Sequence, residues 1–302
     1  MKSQCAVKGA AMQKAMARVK ALTCWSGKVT PEIIKGGITN ANFRVEDAGR
    51  RYFVRIGDDI PVHGVMRFNE LAASRAAADC GLSPKVVHAA SGALVFEFIE
   101  GKTLAAEDVR QPAMQARILP LIRKCHREMP LHVTGPALIF WVFHVLRDYG
   151  HSLEAGKSRH LSALPRLLDV AAELEQAVGA VEIVYGHNDL LPTNFIDDGT
   201  KLWLIDWDYA GFNSPLFDLA NLCSNNEVPA ADETRLLEAY FERRADADLL
   251  RRYHAMKCAS LLRETMWSMI SEIHSTLDFD YAAYTAENLT RFERALGDFR
   301  NM

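Results

Sequence analysis

The sequence has no C-x-x-C pair: Cys5, Cys24, Cys80, Cys125, Cys223 and Cys258 are scattered through 302 residues. That spacing offers neither a zinc site nor a disulfide framework, and it fits reduced thiols in a cytoplasmic protein. No run of about 18 apolar residues is present to span a bilayer, and the first thirty residues lack the apolar centre of a signal peptide. Positive charge is not in excess either. A formal net charge of −3 gives no electrostatic ground for nucleic acid as a partner. Internal repeats and low-complexity tracts are missing. What is there is apolar bulk: 49% hydrophobic residues exclude a disordered chain and supply a core for one large domain or two modest ones.

Acids are missing from the N-terminus. Lys2, Lys8, Lys14, Arg18, Lys20 and Lys28 all precede the first one, Glu32, while Met12, Ala15, Met16, Val19 and Leu22 recur at helical spacing. Two readings follow: an amphipathic helix packed on the next part of the chain, or an organelle-targeting or membrane-surface segment.

From Val29 to Ile56, short β-rich runs (EIIK, NFRV, YFVRI) alternate with turn signals at Gly36-Gly37 and Asp47-Ala48-Gly49, which predicts an antiparallel meander. The alanine-rich run RFNELAASRAAAD, stopped by Gly81 and Pro84, predicts one helix of about three turns. Ala93 to Gly101 reads as a further strand. Beyond Lys102 the character becomes helical, around 114–129, 160–178, 232–244 and 247–274, interrupted by strands only near 181–207. The expected fold is α+β with two lobes: a small antiparallel β-rich lobe over 1–101 and a larger, mainly helical lobe over 102–302.

The interruption carries the chemistry. In VYGHNDLLPTNFIDDGTKLWLIDWDYAG (184–211), the apolar runs NFI and LWLI flank an Asp-Gly turn, a strong hairpin signal. If the strands fold back on each other, the residues before NFI and after LWLI emerge at one end, so Asp189 and Asn194 approach Asp206. Asp197 and Asp198 are turn residues. Hard oxygen ligands suit Mg²⁺, and Asn194 and Asp206 fit that part. Asp189, on the loop, is placed to accept the proton of an attacking hydroxyl, the division of labour in kinase-type phosphoryl transfer. Its five-residue spacing to Asn194 is that of a protein-kinase catalytic loop.

GHNDLLPTN followed by LIDWDYAG resembles the superfamily of aminoglycoside and choline/ethanolamine kinases, and within it the bacterial choline-kinase-like branch. The resemblance implies a protein-kinase-like fold, ATP and Mg²⁺ as cofactors, and a small-molecule alcohol as partner; it leaves a homodimer open. It assigns Gly36, Gly37, Ile38, Thr39 and Asn40 to a phosphate loop and Arg55 to the phosphate-binding cation. Glu70 becomes the acid that holds that cation. The backbone of Glu97, Phe98 and Ile99 would meet the adenine between apolar walls such as Ile38 and Val54. His187 is expected to brace the catalytic loop, leaving Asp189 the better claim to the proton, and Asp218 to support the loop from below.

For the acceptor, the C-terminal aromatics Trp267, Phe279, Tyr281 and Tyr284 resemble the part of choline kinases that walls a quaternary ammonium, with Trp267 and Tyr281 in the closest positions. Two departures weaken the match to trimethylammonium: Glu264 stands where a second tryptophan is expected, and Asn225 where an acid is. Glu264 or Asp208 would supply charge. The leading expectation is phosphorylation of choline or ethanolamine. Kinases of the same fold acting on an aminoglycoside, thiamine or a sugar are the alternatives, and a catalytically silent nucleotide-binding protein is the alternative of a different class.

Overall fold

A computed structural model describes residues 2–34, 40–275, 277 and 279–302, with side chains from residue 11 onward. The phosphate-loop residues Gly36, Gly37, Ile38 and Thr39 lie outside the described residues. In the N-terminal part, β1 (Glu32–Ile34), β2 (Ala41–Asp47), β3 (Arg50–Ile56), β4 (Val86–Ala90) and β5 (Ala93–Glu97) form one antiparallel sheet in the order β1-β2-β3-β5-β4. Alternation sets its two faces: Phe43 and Val45 are buried while Arg44 and Glu46 point out. Tight turns with Ala48 and Gly49 at positive φ join β2 to β3, as the sequence predicts.

Helix α1 (Lys2–Lys20) lies on that sheet. Ala15 and Val19 are buried with Phe43, Val45, Val54 and Val95, and Met12, Met16 and Leu22 pack at the margin, so the packed reading of the basic N-terminus describes this helix. Arg18 anchors it by donating to the carbonyls of Ser91 and Gly92, each at 3.0 Å. Helix α2 (Arg67–Asp79) packs a buried alanine face, Ala73, Ala76 and Ala77, and Gly81 stops the run at φ +68°.

The C-terminal part is a bundle. Short β6 (Lys102–Thr103) and α3 (Ala106–Val109) lead into α4 (Pro112–Glu128), α5 (Val142–Ala155) and α6 (Leu164–Val178). After the catalytic segment come α7 (Pro215–Asn226), α8 (Ala230–Phe241), α9 (Ala247–His274) and α10 (Tyr281–Arg300). Side-chain caps start three of these helices: Ser214 accepts from Leu216 N, Asp246 from Leu249 N and Asp280 from Ala283 N. The 28-residue α9 is the axis, buried on most of its circumference against α5, α6, α7 and α10. No described helix is long and apolar enough to cross a membrane.

Between the helices, β7 (Val184–Gly186) pairs with β10 (Gly211–Asn213), and β8 (Phe195–Asp197) pairs with β9 (Leu202–Leu204) and β6. The predicted hairpin is present in register, Phe195 opposite Leu204 and Asp197 opposite Leu202. Asp198 closes its turn, accepting from the backbone of Thr200 and Lys201 and from the Trp203 indole, which hold its carboxyl below the usual range. The hairpin is seated against the N-terminal part, where Leu204 N donates to Leu82 O at 3.0 Å and the Trp207 indole to Ser83 Oγ at 2.7 Å.

Candidate active site

The catalytic loop hangs from one buried carboxylate. Asp218, in the first turn of α7, accepts the backbone N–H groups of His187 (2.8 Å) and Asn188 (2.7 Å). His126 of α4 holds it from the other side at 2.9 Å and is itself bonded to the Tyr240 hydroxyl at 2.7 Å. Three bonds to the charged form keep Asp218 ionised and its carboxyl below the usual range, against the opposing effect of burial. Gly186 is required here: a Cβ would come within 2.6 Å of Asn188 Oδ1 and 3.2 Å of Asp218 Oδ2.

His187 braces the loop. Its Nε2 lies 2.9 Å from Ile205 O, and its Nδ1 accepts the Asp189 N–H at 3.3 Å, which fixes the neutral tautomer with the proton on Nε2. Burial lowers its pKa, so the ring stays uncharged. Both ring nitrogens of His187 are thus engaged by backbone groups of its own segment.

Asp189, Asn194 and Asp206 come together as the hairpin requires. Asn194 donates to the Asp189 carbonyl at 2.8 Å, and its own carbonyl accepts from Ile205 N at 2.9 Å. Asp206 follows at φ +70°, a left-handed conformation that a non-glycine residue adopts at a cost. Asp206 Oδ1 is taken by Arg55 at 2.9 Å. Asp206 Oδ2 and Asn194 Oδ1 meet no donor among the described residues, so two hard oxygens are free for a cation such as Mg²⁺. Burial pushes the Asp189 carboxyl up to about 8; Arg263 opposes this, while Glu264, Asp206 and Asp208 add to it.

On the phosphate side the structure builds a clamp. Arg55 Nη1 alone donates to Glu70 (2.7 Å), Asp206 (2.9 Å) and Asp208 (3.0 Å). Arg67, which the sequence reading missed, lies one turn before Glu70 on α2. It donates to Glu70 Oε2 at 2.5 Å, Asp208 Oδ1 at 2.9 Å and Asn40 Oδ1 at 2.9 Å. Asn40 in turn donates to Asp208 Oδ2 at 3.2 Å. Asp208, expected beside the acceptor's charge, is therefore held between the two guanidinium groups. The i,i+3 spacing of Arg67 and Glu70 was the available signal, and it reads equally as an ordinary surface pair. Asn69 secures α2 to this segment through Ala210 O at 2.8 Å.

At the edge of the sheet the N–H of Glu97 donates to Lys85 O and that of Phe98 to Arg51 O, so an adenine at this run would meet carbonyls and the Ile99 amide. Val54 is fully buried beneath the sheet rather than open to the cleft.

On the acceptor side, Trp267 and Tyr281 are both buried, 7% and 6% exposed, with ring centres 6.1 Å apart. The Trp267 indole donates to the Tyr209 hydroxyl at 2.9 Å, and His63 lies 5.0 Å from its ring at a 30° tilt. Glu264 accepts from the Tyr284 hydroxyl at 2.7 Å and from Arg263 Nη1 at 3.0 Å. Sequence reasoning also missed Arg263; a lone arginine in a helical run carries no signal of its own. Its guanidinium is buried, 4.0 Å from the Asp189 carboxylate and 4.4 Å from the Tyr209 ring centre. A cavity of about 160 Å³ beside Tyr209 is walled by Tyr149, His63, His144, Asp148 and Asp208.

Comparison with known proteins agrees with this geometry. Residues 32–293 match the family model described as choline/ethanolamine kinase. A probable ethanolamine kinase A of Dictyostelium discoideum is 26% identical over 91% of this chain and 87% of its own length. Among solved structures, a choline/ethanolamine kinase family protein from Mesorhizobium loti shares 28% identity with a TM-score of 0.76 over 94% of each chain. The choline kinase LicA of Streptococcus pneumoniae superposes with a TM-score of 0.73 at 21% identity over 98% of this chain and 99% of that one, a likeness of fold.

Proposed function

The chain belongs to the choline/ethanolamine kinase family and is an ATP-dependent small-molecule kinase, and from that premise we propose that it transfers a phosphoryl group to the hydroxyl of a small amino alcohol, choline or ethanolamine. The observation that carries the reading is the convergence of Asp189, Asn194 and Asp206 at one end of the β8–β9 hairpin, beside the Arg55–Glu70 pair. Relatives named as ethanolamine kinases support the acceptor class.

In this reading Asp189 receives the acceptor hydroxyl and takes its proton as the oxygen attacks, while His187 and Asn194 fix the loop that carries it. Arg55, already oriented by Glu70, grips phosphate oxygens, and Arg67 holds Glu70 and Asp208 in place. Asp206 and Asn194 are the residues that would hold Mg²⁺, which when bound neutralises charge on the phosphates. Gly36, Gly37, Ile38, Thr39 and Asn40 form the proposed phosphate loop, and Glu97 to Ile99 the adenine edge. A screen of ATP consumption over choline, ethanolamine, thiamine, aminoglycosides and sugars tests the reading. Turnover confined to thiamine, an aminoglycoside or a sugar would replace the acceptor class, and no turnover with any alcohol would sink the catalytic one.

A further inference from the structure

We infer that Arg263 makes the acceptor site selective for a primary amino alcohol over its trimethylammonium counterpart; this rests on the amino-alcohol reading above. A trimethylammonium donates no hydrogen bond, so its recognition depends on open aromatic faces. Near Asp189 one such face, on Tyr209, is already covered. The Arg263 guanidinium carbon lies over Tyr209 at 4.4 Å and faces Phe140 at 5.7 Å. Trp267 is covered by His63 on one side and approached by Tyr281 on another. The chain's own cation thus occupies the place on Tyr209 that a quaternary ammonium would need.

The same residues offer a different kind of recognition. Arg263 is 2% exposed and bonds Glu264; its Nε and Nη2 make no well-formed hydrogen bond among the described residues, and the buried Tyr149 hydroxyl beside it is likewise unsatisfied. Buried guanidinium donors left idle beside a catalytic carboxylate are matched by an oxygen acceptor, and an alcohol oxygen is one. The carboxylates of Glu264 and Asp208 retain lone pairs beyond the bonds they already accept, so an ammonium bearing N–H groups can share them with the resident guanidinium groups. A primary amino alcohol presents both functions, oxygen to Arg263 and N–H to carboxylate. Each added methyl removes a donor.

The test is the methylation series of ethanolamine, N-methylethanolamine, N,N-dimethylethanolamine and choline, read as kcat/KM with saturating Mg-ATP. The expected result is a fall along the series, by about tenfold or more from first to last, since an open ring face is worth roughly that factor to a cation. Arg263→Met, which keeps length and uncovers Tyr209, is expected to flatten the series by raising choline relative to ethanolamine while leaving the ATP KM in place. The inference is overturned if choline equals or exceeds ethanolamine with the wild-type protein. A folded Arg263→Met enzyme that keeps the wild-type ratio overturns the part assigned to Arg263. Should that variant melt early, the wild-type series alone decides. Absence of turnover with all four alcohols overturns the amino-alcohol reading itself, and this inference with it.

Discussion

Two arginine centres of the molecule are wired differently. At the first, a single nitrogen of Arg55 serves three carboxylates and Arg67 ties two of them, Glu70 and Asp208, to Asn40. On the acceptor side, Arg263 makes one hydrogen bond and rests against rings. In the proposed function a polyphosphate is the same in every turnover, so its cradle would gain from being assembled in advance. An acceptor site gains from spare donors, because they are what an incoming alcohol can satisfy.

The largest way to break the comparison is Arg55→Ala. Removing it leaves the buried Glu70 and Asp208 to Arg67 alone, two acids against one cation, which should cost about 3–5 kcal/mol of stability and raise the apparent ATP KM; chemical denaturation and ATP titration measure the two. Arg55→Lys should keep part of the activity, since the charge survives and the planar fork does not. An unchanged ATP KM in Arg55→Ala would remove Arg55 from the phosphate side altogether.

Next in size, Asp189→Asn lies on the boundary between the two centres and should reduce kcat by about 10² to 10⁴ while both KM values stay near wild type. A large shift in ATP KM instead would mean that Asp189 belongs with the phosphate cradle.

A pH experiment isolates the acceptor side. Burial, with repulsion from Arg263 and His274, lowers the His63 pKa from 6.5 to about 3. Above the unfolded value neither state binds the proton and stability is fully present. As pH falls below it, the unfolded chain takes up a proton that the folded one refuses. Stability should therefore fall by about 2 kcal/mol between pH 7 and pH 5, and His63→Gln should lose that part of the slope. An equal slope in the variant assigns the acid sensitivity elsewhere.

The smallest effect expected is that of Tyr284→Phe, which deletes one hydrogen bond to Glu264. Because Arg263 still bonds that carboxylate, it should cost about 0.5–1.5 kcal/mol, read as a raised acceptor KM with the ATP KM untouched. A change in both would couple the centres that the geometry separates.

What could be read in advance follows the range of the interactions. The hairpin and its three converging residues were legible because an Asp-Gly turn fixes strand register over a few positions. The α1 face was legible because its apolar residues repeat at helical spacing. β4 was overlooked, since VVHAA is short and lacks a strong alternation, and β10 carries glycine and asparagine, which depress a strand reading. Arg55 and Glu70 came from resemblance rather than from periodicity. Arg67, Arg263 and the Asn40–Asp208 bond were beyond reach: 168 positions separate the last pair, and a sequence pattern records which face a residue occupies, not which distant side chain it will meet.

The seat of α1 has a consequence for the handling of the molecule. A protease nick or truncation that releases the chain through Leu22 would strip away Ala15 and Val19 and lay open Phe43, Val45, Val54 and Val95 on one sheet face. A bare apolar sheet of that kind recruits other molecules. Aggregation during purification would then report on an N-terminal segment far from the chemistry, with the catalytic residues themselves intact.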